Sequence, residues 1–199
     1  MTPLTAYFGL LGFVALTRII ELRVSGGRVD KLSEETRERA TDWNYVAMVV
    51  VHTVLFILPA AEAVWLDTPL TWWLAGPALA VLLAATLLRV RVITLLGPSW
   101  NTRGVVDPDI AVVTTGPYRW VRHPNYLAVI AEIAALPLVY GCWRSALLLS
   151  IANGLVLVGR IRREEDELGQ IPAWREAFAH KPRVLPNPFL REPGAAATP

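Results

Sequence analysis

The chain has 199 residues, 54% of them hydrophobic and only 18% charged, with a mean hydropathy of +0.41 and a formal net charge of +2. That composition excludes an ordinary soluble domain and fits a polytopic membrane protein. The net charge says little about partners and nucleic acid is not expected among them; Cys142 stands alone, which rules out an intrachain disulfide, and without a His/Cys cluster no metal is expected.

A spanning helix needs about 20 apolar residues for a ~30 Å hydrocarbon core, and about five segments approach that length. The first, about Leu4 to Leu22, lacks the basic start and small-residue cleavage site of a signal peptide and reads as a retained helix. Arg18 and Glu21, one turn apart near its end, are placed to pair at the interface. The second runs from about Tyr45 to Trp65. The third, about Leu70 to Leu96 with Pro69 and Pro77 marking its first turns, is roughly 40 Å long, which would carry Arg89 and Arg91 beyond the lipid. A polar, aromatic stretch then interrupts the apolar pattern: Gly116-Pro117-Tyr118-Arg119-Trp120-Val121-Arg122-His123-Pro124-Asn125-Tyr126. The fourth and fifth segments, about Tyr126 to Tyr140 and Ser145 to Val158, are short and read as a tight hairpin with a kink at Pro137. A second charged cluster, Arg160 to Glu167, follows, and residues 192–199 read as a disordered end. Most Trp and Tyr fall near the ends of apolar runs, as rings that prefer the headgroup layer should.

Lys and Arg alternate between connections. Residues 23–42 hold Arg23, Arg28, Lys31, Arg37 and Arg39, the 67–69 turn holds none, the next connection is basic again, and the 141–144 turn carries only Arg144 before an Arg-rich tail. The bias puts the amino terminus outside and both polar clusters, with the carboxyl terminus, in the cytoplasm. Two clusters on one side can build one pocket. Glu132 lies about two turns into an apolar helix, where a carboxylate costs several kcal/mol unless paired or facing water, and shares a face with Asn125, so a pocket-lining role is expected. Glu62 is a weaker case of the same kind, and His52 and Asn153 are expected to hydrogen-bond between helices.

Glycine-rich nucleotide loops, a Gly-x-Ser-x-Gly elbow and a His-Glu-x-x-His helix are all missing. The run Val113 to Tyr126, followed by Arg160-x-x-x-Glu164-Glu165-x-x-Leu168 and then Lys181-Pro182-Arg183, resembles the isoprenylcysteine carboxyl methyltransferase family over roughly residues 85–190. Trp100-Asn101-Thr102-Arg103 further resembles a bacterial branch that O-methylates long-chain alkylpyrones and alkylresorcinols made by type III polyketide synthases. The resemblance implies an all-α integral membrane protein, residues 1–191 forming one domain, with a cytosolic cofactor pocket built from the helix 3–4 connection and the C-terminal tail. It implies S-adenosylmethionine as cofactor, a lipophilic acceptor from the bilayer, residence in a bacterial cytoplasmic membrane and a functional link to a type III polyketide synthase.

Residue by residue, the positions matching the family's cofactor contacts are Ile110, Ala111, Val112, Val113, Tyr118, His123, Pro124, Asn125, Tyr126 and Glu164. Pro124 suits a first helical position, where its missing N–H costs nothing, and amides near a helix start can bind a carboxylate. A carboxylate such as Glu164 can accept from ribose hydroxyls or an ammonium, and Tyr118 and Tyr126 can stack on adenine or face the sulfonium. Arg160 matches the position that meets the acceptor; Glu165, Glu132 and His123 are the candidate bases. The family's Gly-x-x-Tyr segment after the Glu pair is replaced by Gly169-Gln170-Ile171-Pro172-Ala173-Trp174, so different packing of the tail is expected. Three alternatives stay open: isoprenylcysteine carboxyl methylation proper, an NADPH-dependent sterol or enone reductase of related architecture, and a non-enzymatic scaffold or transporter.

Overall fold

The computed structural model describes residues 2–31, 34, 43–66, 68–106 and 112–185. They form an all-helical bundle: α1 (Pro3–Val29), α2 (Trp43–Trp65), α3 (Trp72–Leu96), α4 (Pro124–Leu138), α5 (Trp143–Leu168) and a short α6 (Pro172–Phe178). Four of the helices (α1, α2, α3 and α5) are long and apolar enough to cross a membrane, and α4 is a shorter apolar one. The chain is an integral membrane protein. Phe13, Leu16, Leu87 and Leu155 lie on its outer surface with more than half of their area exposed, and Trp43, Trp65, Trp72 and Trp73 are exposed at helix ends. In water such a surface would aggregate, whereas in lipid it is solvated.

Local chemistry sets the helix ends. Thr2 caps α1, its hydroxyl accepting from the Thr5 N–H at 3.2 Å, with Pro3 at the first position. Gly97, at φ +51°, stops α3 in a conformation that costs an L side chain. Pro124 opens α4 after His123. Pro137 lies in the last turn of α4, and its carbonyl accepts from the Cys142 N–H at 3.0 Å, so it closes the helix into the hairpin. Glu62 of α2 caps α5 from outside: its carboxylate accepts from the Ser145 N–H at 2.7 Å and the Arg144 N–H at 3.2 Å, so its negative charge meets the positive end of the helix.

The largest difference from the sequence expectation is α5. The fifth apolar segment and the charged cluster after it are one uninterrupted helix of 26 residues. About 26 Å of helical rise separates Arg160 from Trp143 at the start of α5, so Arg160 stands on the same helix as the fifth apolar segment rather than in a separate tail. Tyr7, Leu11, Leu55, Leu82, Ile133 and Leu149 join α1 to α5 in one apolar core. A second cluster of Val92, Trp100, Tyr118, Trp174 and Phe178 seals the other end, with Trp174 and Phe178 coming from α6. This is where the departure at residues 169–174 leads: a short amphipathic helix begins at Pro172 and packs its rings under the polar stretch.

Buried charge also falls elsewhere than expected. Arg18 pairs with Glu21 at 2.5 Å, as anticipated. Arg89 turns into the bundle: it is 5% exposed and faces Glu21 at 3.5 Å and Glu132 at 3.7 Å. Glu132 also meets Arg18 at 3.3 Å. Two guanidiniums and two carboxylates from α1, α3 and α4 thus neutralise one another, the arrangement that makes ionised groups tolerable in an apolar bundle. His52 bonds within its own helix, Nδ1 to the Met48 carbonyl at 2.9 Å, not between helices. Asn153 is buried, but its Oδ1 finds no hydrogen-bond partner among the described residues.

Candidate active site

The end of the bundle where α3 stops and α4 begins is held by the loop 100–105. Asn101 pins it, Oδ1 accepting from the Val105 N–H at 3.1 Å and Nδ2 donating to the Val105 carbonyl at 2.8 Å. The end of α1 anchors it further: Ser25 Oγ accepts from the Thr102 N–H at 2.8 Å, and Arg28 donates to the Trp100 carbonyl at 3.0 Å. Gly104, at φ +69°, leaves room for Arg160, whose Nη2 would stand 3.0 Å from any Cβ there. The loop's own function is thus geometric. Its Thr102 carbonyl accepts from Arg160 Nη2.

Around Arg160 the two sequence clusters meet. Arg160 Nε donates to the Tyr126 hydroxyl at 2.9 Å, and that hydroxyl donates to Glu164 Oε2, so α4 and α5 are linked by Arg160, Tyr126 and Glu164 in turn. His123, 4% exposed, tilts its ring against Tyr126 and brings Nε2 to 3.2 Å from Glu165 Oε1. Glu165 turns to the tail: besides His123 it meets Arg122 Nη1 at 3.3 Å and Arg183 Nε at 2.8 Å. Arg122 completes this clamp, donating to the carbonyls of Lys181 at 2.7 Å and Ala179 at 3.1 Å. Of the three candidate bases, then, Glu165 ties down residues 179–183, Glu132 is held in the α1–α3–α4 ion cluster, and His123 leans on Glu165.

Two of the cavities that adjoin this point matter here. The polar one is lined by Asn101, Val112, Val113, Tyr118, His123 and Glu164, with Trp174 and Phe178 as its floor. Burial pushes the Tyr118 hydroxyl above its usual range and the Glu164 carboxylate pushes it the same way, so it remains a neutral hydrogen-bond donor at physiological pH. The apolar cavity, of about 330 Å³, lies between α1 and α2 and runs back to Arg89. Ile19, Val49 and Ile57 on its wall also reach the outer surface, so it opens toward lipid. Trp100, Asn125, Tyr126 and Arg160 belong to both walls. Trp100 Nε1 and Asn125 Oδ1 are buried there without hydrogen-bond partners among the described residues.

The polar cavity therefore gathers Val112, Val113, Tyr118, His123, Asn125, Tyr126 and Glu164, with Pro124 setting the helix start, while Ile110 and Ala111 lie outside the described residues. Several contributors were not expected at the site from the sequence. Arg18, Arg89 and His52 line the apolar cavity, and Gly104 makes space for Arg160. Only the last carried a sequence signal, a glycine in an otherwise polar loop; the others depend on which helix faces which.

The isoprenylcysteine carboxyl methyltransferase (ICMT) family profile matches residues 78–170. The chain is 33% identical over 160 residues to the uncharacterized protein YpbQ of Bacillus subtilis (strain 168), covering 80% of this chain and 94% of that one. It is 29% identical over 154 residues to the nickel-cobalt-cadmium resistance protein NccN of Alcaligenes xylosoxydans xylosoxydans, covering 76% and 66% of the two chains. No solved structure matches it significantly. The matched segment contains most of α3, the loop that carries Gly104, and the whole of α4 and α5, and with these matches the chain belongs to the ICMT family of membrane methyltransferases, whose enzymes use S-adenosylmethionine.

Proposed function

We propose that the protein is an S-adenosylmethionine-dependent O-methyltransferase whose acceptor is a lipophilic enol or phenol of the long-chain alkylpyrone or alkylresorcinol class, arriving sideways from the bilayer. One observation carries the reading: a polar and an apolar cavity share Trp100, Asn125, Tyr126 and Arg160 as a common wall. In-line displacement needs donor and acceptor on opposite sides of the transferred methyl, and two compartments meeting at one wall supply that geometry. S-Adenosylmethionine, when bound, contributes an electrophilic methyl on a cationic sulfonium.

The residues of the polar cavity fit that donor. Asn125 Oδ1 can accept from its hydroxyls or ammonium, Trp100 Nε1 can donate to its carboxylate, and both are buried atoms still lacking partners. Glu164 presents a carboxylate for the ribose or the ammonium, and Tyr118 offers a ring and a neutral hydroxyl. On the other side, Arg160 cannot act as a base but can orient and stabilise an acceptor oxyanion. The apolar cavity suits an alkyl chain, and a type III polyketide synthase would supply such acceptors. In this reading the site faces the cytoplasm of a bacterial cell.

The test is to give the detergent-purified chain labelled S-adenosylmethionine and a panel of lipids. Long-chain alkylpyrones or alkylresorcinols should be methylated. Arg160→Ala should lower that rate by about 100-fold while donor affinity stays within a few-fold. Methylation of farnesylcysteine analogues but not of the polyketide lipids would overturn the assignment in favour of a carboxylate acceptor.

A further inference from the structure

A phenol near pKa 10 or an enol must lose a proton to become a good nucleophile, whereas a carboxylate is already ionised at neutral pH. A base is therefore wanted on the acceptor side, yet His123, Glu165 and Glu132 do not line the apolar cavity. Four groups on its wall invite consideration. Glu21 is held by Arg18 at 2.5 Å and Arg89 at 3.5 Å. The Tyr126 hydroxyl donates to Glu164, and its oxygen accepts from Arg160. Tyr45 is a phenol itself, with the Arg103 guanidinium over its ring. His52 remains.

Its ring is pre-set for the task. Nδ1 lies 2.9 Å from the Met48 carbonyl, which can only accept, so the ring proton sits on Nδ1 and Nε2 presents a lone pair. Nε2 has no hydrogen-bond partner among the described residues. The charged groups sharing its cavity are Arg18 and Glu21 from α1, Arg89 from α3 and Arg160 from α5. Along α2, His52 stands four residues, about 6 Å of rise, beyond Met48, and Met48 packs with Tyr126 at the common wall. An acceptor lying in this cavity has both Arg160 and His52 on its wall.

Resting on the methyltransferase reading above, we propose that His52 is the general base for the acceptor hydroxyl and that the protein is accordingly built for hydroxyl rather than carboxylate acceptors. The acceptor O–H proton passes to His52 Nε2. The oxygen electron pair forms the O–CH3 bond as the S–CH3 bond breaks, its electron pair staying on sulfur, which leaves as a neutral thioether. The imidazolium then returns its proton to water.

Deprotonation can be read without the donor. The probe is a long-chain alkyl nitrophenol, whose anion absorbs in the visible, bound to the full chain in detergent about one pH unit below the probe's own pKa. Wild type should raise the phenolate-to-phenol ratio about tenfold over detergent alone, and His52→Ala and His52→Gln should bind the probe within a few-fold yet lose that rise. In turnover, both variants should methylate an alkylresorcinol about 100-fold more slowly, but the nitrophenol, assayed above its pKa, within a few-fold of wild type. An unchanged phenolate ratio in the variants, or equal loss on both acceptors, overturns the proposal. Should a substitution prevent folding, wild type still decides: no rise in phenolate overturns it. A wild-type chain that fails to bind S-adenosylmethionine would instead overturn the methyltransferase reading, and the donor-free absorbance would still report on His52.

Discussion

Adjacent glutamates on α5 do different work. Glu164 accepts from Tyr126 at the edge of the polar cavity, while Glu165 holds Arg122, His123 and Arg183 against the tail. Losing a buried, charge-assisted hydrogen bond costs about 1.5 to 3 kcal/mol, roughly 10- to 150-fold in affinity. Glu164→Gln should weaken S-adenosylmethionine binding by that factor with little change in the thermal midpoint in detergent, as a titration and a melt together would show. Glu165→Gln should lower the midpoint, by about 2 kcal/mol of stability, and expose residues 179–183 to proteolysis. A Glu165→Gln chain that melts like wild type would refute the clamp. The pair looks like one motif in sequence, and only the neighbours of each carboxylate separate them: one residue along a helix turns a side chain by about 100°.

Helices and loops carry their own constraints. At Gly104 a positive φ and the closeness of Arg160 act together. Gly104→Ala forces a left-handed residue, costing about 1–2 kcal/mol, and pushes a Cβ at the guanidinium. Turnover should fall while donor affinity stays within a few-fold, which steady-state kinetics beside a titration would resolve. The N-terminus of α5 offers a contrasting case, because Glu62 satisfies its amides and lines neither of the two cavities. Glu62→Ala should cost about 1–2 kcal/mol in a melt and leave donor binding unchanged. The continuity of α5 ties these ends together, since a single rigid helix sets the height of Arg160 and Glu164 relative to the hairpin.

For the whole molecule, the loop 100–105, the start of α4 and the charged half of α5 share one end of the bundle, opposite the hairpin of α4 and α5. A reporter fused after Pro199 should be cytoplasmic and one at residue 68 should face outward; the reverse at either point would overturn the orientation that the charge bias implies. The cavity between α1 and α2 adds a second expectation. Lengthening the acceptor's alkyl chain should lower its apparent KM by at most about 0.8 kcal/mol per CH2, less in practice because the chain leaves lipid rather than water. A KM indifferent to chain length would argue that the acceptor does not use this cavity.

Composition and apolar run length were enough to establish a helical membrane protein, because hydrocarbon imposes a length and a polarity on every spanning segment. The Gly116 to Tyr126 run and the Arg160, Glu164 and Glu165 spacing likewise marked the family, since these residues are close in sequence or one turn apart. The burial of Arg89, the different neighbours of Glu164 and Glu165, and the placing of His52 on the wall of the apolar cavity came only with the tertiary structure. In an apolar helix nothing local says which neighbour a polar side chain will face. That is decided by how α1 and α2 rotate against the other helices, where Arg18 and Glu21 find Arg89 and Glu132 across the bundle.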